Sequence, residues 1–168
     1  MDMADATGEG YPLVLQSGAD PSTLGGVAVC GLTTVGSVGV IAASHLIASL
    51  GLKPMGTVIH PEFPAVALIQ ESVPKHPVRV YQGEEMGVFI SEIQFPQASD
   101  FQFGNTVLEW FQKGGFDRLV IIDGLVSEDL GLKEDGDIWG VASLPPGPDA
   151  VDPVSSQRIH QGIVTRVA

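Results

Sequence analysis

Apolar positions in this chain come in short runs broken by glycine and proline, and the runs differ in kind. "VAVCGL" (residues 27–32) is apolar without interruption, as a strand covered on both faces of a parallel sheet requires. "YPLVLQS" (11–17), "MGTVIH" (55–60) and "AVALIQ" (65–70) read as further strands, the last two parted by "PEFP". "VRVYQ" (78–82) and "GVFISEI" (87–93) read as the arms of a hairpin turning at Gly83, Glu84 and Glu85. "RLVIIDGL" (118–125) and "IWGVASL" (138–144) supply two more strands.

Two tracts carry helical spacing instead. Val38, Ile41, Ala42, His45, Leu46, Ser49 and Leu50 fall largely on one face of a helix that Gly51 is placed to end. In "QASDFQFGNTVLEWFQKGG" (97–115), Ser99 or Asp100 can cap a helix, and Phe103, Val107, Leu108 and Phe111 recur at core-facing spacing. Gly114 and Gly115 then stop it. Strand–helix–strand order occurs twice, and each such crossover favours a parallel pair with a right-handed connection. The pattern predicts an α/β chain, a three-layer α/β/α sandwich on a mostly parallel central sheet. Residues 1–10 read as a flexible N-terminus and 11–168 as a single α/β domain. Within it, "PPGPDAVDP" (145–153) is a proline-rich loop and "SSQRIHQGIVTRVA" (155–168) a partial helix.

Composition supports a folded core. A chain of 168 residues can bury roughly 70% of the surface its unfolded form exposes. With 44% hydrophobic and 17% charged residues it has the side chains to do so. Cys30, the single cysteine, lies inside the apolar run, which excludes an internal disulfide and predicts a buried thiol. The net charge of −12 argues against nucleic-acid and anionic-membrane partners, because both are bound through clustered Lys and Arg. "MDMADATGEGYP" has neither the cationic nor the apolar region of a signal peptide, so a cytoplasmic location is expected.

Candidate chemistry is sparse. Gly31 and Gly36 have P-loop spacing, but Ser37 and Val38 stand where that motif places lysine and a magnesium-binding hydroxyl. Gly31, Thr33, Thr34, Gly36, Ser37 and Gly39 could still aim backbone N–H groups at a phosphate. The simpler reading is a tight strand-to-helix turn with close helix–sheet packing. His45, His60, His76 and His160 show no metal-ligand spacing, and neither a metal nor a cofactor is expected. His60 with Glu62 is the best acid–base pair, at a predicted strand end where α/β sheets gather ligands, and Glu92 ends another strand. "SEDLGLKEDGD" (127–137) is acidic but lacks the ligand register of a calcium loop.

Several segments share a family likeness. A strand ending "GL" (31–32), "GSVGVIAASHLIASLGL" (36–52), "HPEFPAV" (60–66), "PVRVYQGE" (77–84), "ISEIQFP" (90–96) and "LVIIDGL" (119–125) follow in that order. The arrangement resembles the proteasome assembly chaperone family of archaea and eukaryotes, whose archaeal members are sometimes grouped under an ATP-grasp label. The resemblance covers roughly residues 12–165. It implies a sandwich similar to the nucleoside-phosphorylase-like fold, no catalysis, oligomers, and a part in assembling proteasome α-subunits. Family members continue past the segment matching "GIVT" (162–165) into further helices, which this domain is expected to lack. Some end in a hydrophobic-Tyr-any motif, whereas Thr165, Arg166, Val167 and Ala168 include no tyrosine. Contact is therefore expected on the folded body, with Phe63, Pro64, Phe95 and Pro96 as apolar anchors. The alternative is a small-molecule- or nucleotide-binding enzyme built on the turn over residues 31–39.

Overall fold

The computed structural model describes residues 10–16, 25–61, 63–70, 72–94 and 100–124. In chain order the elements are β1 (Leu13–Leu15), β2 (Val27–Leu32), α1 (Val38–Ser49), β3 (Lys53–Val58), β4 (Leu68–Gln70) and β5 (Val73–Lys75). They continue with β6 (Val78–Gln82), β7 (Met86–Ser91), α2 (Asp100–Lys113) and β8 (Arg118–Ile122). The strand predicted at 138–144, the acidic loop, the proline-rich loop and the C-terminal helix lie outside the described residues.

Six strands form one mixed sheet in the order β1-β3-β6-β7-β2-β8. β2 runs parallel to both β7 and β8, while the β1–β3, β3–β6 and β6–β7 pairings are antiparallel. The expectation of a mostly parallel sheet is thereby corrected. The cause is β6: a hairpin delivers it beside β7, and it separates β7 from β3, so both of its ladders are antiparallel.

Both crossovers do join strands of like direction, but not neighbours. From β2 the chain passes through α1 to β3, toward one side of the sheet; from β7 it passes through α2 to β8, toward the other. Right-handed connections that run in opposite directions put their helices on opposite faces. Side-chain contacts agree. Val40, Leu46 and Ile47 of α1 pack with Val29, Tyr81, Val88 and Ile90. Phe89, between Val88 and Ile90, points the other way and meets Phe103 and Trp110 of α2 with ring centroids 5.5 Å apart.

The two faces are filled differently. On the α2 face Phe89, Phe103 and Trp110 are fully buried, and the Phe116 ring lies tilted against Trp110 with centroids 4.9 Å apart. Burying each such side chain is worth roughly 2–3 kcal/mol relative to leaving it in water. On the α1 face Gly39 and Ala43 are the buried positions of the helix. A side chain at Gly31 would strike the Gly39 carbonyl and the Ala43 methyl, and one at Gly39 would strike the Ile122 carbonyl. The glycines let the helix backbone rest on the strands.

The helix face predicted for α1 is mostly the exposed one: of its seven residues only Ala42 and Leu46 are even half-buried. Val38, Ile41 and Leu50 are exposed, because α1 is apolar on all sides and its pattern does not single out a face. β5 was not anticipated; with β4 it forms a separate two-stranded sheet.

Candidate functional site

β2, β7, β8 and β3 all end on one rim of the sheet, and the oppositely directed β1 and β6 begin there. This brings Tyr11, His60, His76, Glu92, Thr33 and Asp123 to the same rim, each beside a different strand end. It is the place where open α/β sheets carry ligands.

Half of the rim is aromatic. The Tyr11 ring lies 4.4 Å from His60 and 5.1 Å from Phe63, and Phe63 lies 6.4 Å from His76. Phe63, followed by Pro64, lies back against Tyr11 and His60 and is half-buried. Tyr11 is anchored in turn: its N–H donates to Thr106 Oγ1 of α2 at 2.6 Å.

Half of the rim is polar, and most of its groups are held by each other or by nearby backbone, although the buried Arg79 Nε has no hydrogen-bond partner among the described residues. Arg79 donates from Nη2 to Glu92 Oε2 at 2.5 Å and from Nη1 to the His76 carbonyl at 2.7 Å. Both side chains of that ion pair are largely buried, and the Glu92 N–H donates to the Pro77 carbonyl at 3.0 Å. Removing one partner of such a pair strands a buried charge. Thr33 Oγ1 donates to the Ser91 carbonyl at 2.9 Å, and the Gly124 N–H donates to Asp123 Oδ1 at 2.7 Å. Beneath the rim, burial foremost and then the Asp123 charge push the Cys30 thiol far up, so it stays protonated and unreactive.

The glycine turn sits at the same rim. Thr34 precedes a short 3-10 turn, Val35–Ser37, in which Gly36 takes a φ of 68° and Ser37 one of 53° before α1 begins. Both are left-handed conformations, open to glycine and strained for serine. The turn brings Gly39 against β2 and β8.

Of the other residues singled out in the sequence, Pro64 is exposed beside Phe63, while Glu62, Phe95 and Pro96 lie outside the described residues. Among the described residues no three His, Cys, Asp or Glu side chains gather closely enough to hold a metal, and no helix is long and apolar enough to cross a membrane. A groove of about 640 Å³ opens between β1 and α2, lined by Tyr11, Leu13, Thr106 and Trp110. It flanks the β1 edge, four strands away from β2 and its glycine turn.

The pattern reading missed the exposed apolar surface. Val66 is 49% exposed, Ile69 68% and Val73 54%, all on or beside the β4–β5 ribbon that follows the aromatic bend. The signal was present in "AVALIQ", whose apolar run exceeds what a three-residue strand on a separate ribbon can bury.

Comparison with known proteins adds to the geometry. A model of the PAC2 family matches residues 28–165. Among solved structures, Pyrococcus furiosus PbaA, an archaeal homolog of proteasome-assembly chaperone, is similar at a TM-score of 0.57 and 24% identity, over 66% of this chain and 47% of that one. A Thermoplasma acidophilum protein of unknown function gives 0.56 and 26% identity, over 61% and 43%. Pyrococcus furiosus PbaB, an archaeal proteasome activator, gives 0.53 and 21% identity, over 68% and 51%. The matched part spans about half the length of these relatives. Among curated proteins no relative matches significantly.

Proposed function

The chain belongs to the PAC2 family, and from that premise we propose that it is a non-enzymatic binding protein that assists the assembly of proteasome α-subunits in the cytoplasm, working as an oligomer. The family match over residues 28–165 carries the reading, since it runs from β2 through every later element. The fold likeness to PbaA supports it, and on this reading the mixed sheet with its two helices is the core of the family's sandwich.

The site geometry supports binding over catalysis. Glu92 is neutralised by Arg79, and in the 31–39 turn Gly31 and Gly39 serve helix–sheet packing while Gly36 takes the left-handed turn conformation, which accounts for them without a phosphate. The contact surface moves from Phe63, which packs against Tyr11 and His76, to exposed Pro64 and the exposed Val66 that follows it. An assembly chaperone has to prefer the intermediate over the finished ring. Mixing the chain with purified archaeal α-subunits should therefore give a mixed species in native mass spectrometry that disappears once rings close. If no mixed species forms at micromolar concentrations, the proposal fails.

A further inference from the structure

The β4–β5 ribbon has two outer edges, and they are chemically unequal. In its register Gln70 faces Val73 across a two-residue connection, and Ile69 faces Pro74. A closing pair of this kind exchanges hydrogen bonds, so in the next pair, Ile69 with Pro74, the peptide groups point outward. At the outer edge of β5, Pro74 offers a carbonyl and no N–H, which closes that edge to a further strand. At the outer edge of β4, Ile69 offers both donor and acceptor. The Ile69 side chain above that edge is also the most exposed of the large apolar side chains among the described residues, at 68%. A two-stranded ribbon is marginal alone and gains from added strands.

Charge narrows what can lie on β4. The chain carries −12, so a second copy is repelled wherever carboxylates meet. "FPAVALIQ" (63–70), which contains β4, has no charged residue. A strand centred on one residue also meets its own copy in register when two copies run antiparallel, as an isologous interface demands. The outer face of α1 is uncharged as well, but a helix has no free ladder edge to fix register.

We propose that two copies of the chain pair through β4, edge to edge and antiparallel about a two-fold axis at Ile69, so that two ribbons become one four-stranded sheet. The inference names a surface for the self-association contained in the proposed function and rests on that part of it.

Cross-linking tests it directly. Across a hydrogen-bonded antiparallel pair the Cα atoms are about 5.5 Å apart, within disulfide reach. Native Cys30 is buried and does not compete. Oxidised Ile69→Cys should convert the greater part of the chain to a covalent dimer, and Leu50→Cys, 54% exposed at the end of α1, should not. Ile69→Lys should hold the chain monomeric in light scattering at micromolar concentrations with an unchanged far-ultraviolet dichroism spectrum. Cross-linking of Ile69→Cys no greater than that of Leu50→Cys, or a folded Ile69→Lys chain that keeps the wild-type mass, overturns the pairing. A chain monomeric at all these concentrations that still captures α-subunits overturns it too and leaves client binding standing. A wild-type chain that self-associates without any cross-link yet captures none, while Ile69→Cys cross-links, supports the pairing and refutes the client reading.

Discussion

Each face of the sheet meets one helix across a glycine in a strand, yet the two contacts are built from opposite materials. On the α1 face Gly31 makes room for backbone, since the nearest atoms to a Cβ there belong to the Gly39 carbonyl and the Ala43 methyl. On the α2 face Gly87 makes room for rings, and its missing Cβ would meet Phe116 and Trp110. The first contact is close because both surfaces are small. The second is large because aromatic side chains fill the gap that a bare strand leaves. Rings can tilt, whereas a helix backbone held on β2 and β8 has nowhere to go.

That difference should read out as stability. Gly31→Ala should cost on the order of 4 kcal/mol, because relieving the clash means lifting α1 off the sheet. Chemical denaturation of the purified variant, or loss of soluble protein, measures it. Gly87→Ala should cost about 1–2 kcal/mol, the usual penalty for overpacking that side chains can partly relieve, with some return from a less flexible unfolded chain. If the two alanine variants unfold at the same denaturant concentration, the distinction between a backbone contact and a ring contact fails.

The faces also differ in how legible they were. Helix α2 announces its buried side better: of the residues its spacing predicts, Phe103 and Val107 are fully buried and Leu108 and Phe111 half-buried, although Trp110, also buried, was not among the expected residues. Helix α1 does so poorly, for a helix without charged residues has no polar stripe to mark its outer surface. Its inner face is set by Gly39 and Ala43, which rank low on any hydrophobic pattern. Strand direction was legible only pair by pair. The hairpin of β6 with β7 was visible in the sequence, but that β6 would stand between β7 and β3 is a long-range fact with no local signal. At the rim, His60 and Glu92 were singled out as strand-end residues and Thr33 as part of the glycine turn, and the fold brings them to one side. The Arg79–Glu92 pair was invisible, because partners 13 residues apart, one on β6 and one just past the end of β7, are joined only by register.

The outer surfaces extend the contrast and carry the smallest expected effect. Helix α2 shows water a charged pair, Glu109 with Lys113 at 3.1 Å, where α1 shows Val38 and Ile41. The Lys113 hydrogen bond, with the Gly10 N–H second, holds the Glu109 carboxyl below its ordinary value. A depressed carboxylate stabilises the fold above its unfolded pKa, and that contribution is lost as pH falls through the lower folded value. Both side chains are largely exposed, 68% for Lys113 and 46% for Glu109, so solvent screens the pair. Lys113→Ala should therefore cost only about 0.3–0.5 kcal/mol near neutral pH. The difference from wild type should shrink once acid protonates Glu109, and it should shrink again in high salt at neutral pH. Denaturant midpoints for the two chains, taken from neutral pH down to below the folded carboxylate value, test this. A gap that stays constant across that range would mean that Lys113 acts through its alkyl stem and that the charged face of α2 contributes no more than the apolar face of α1.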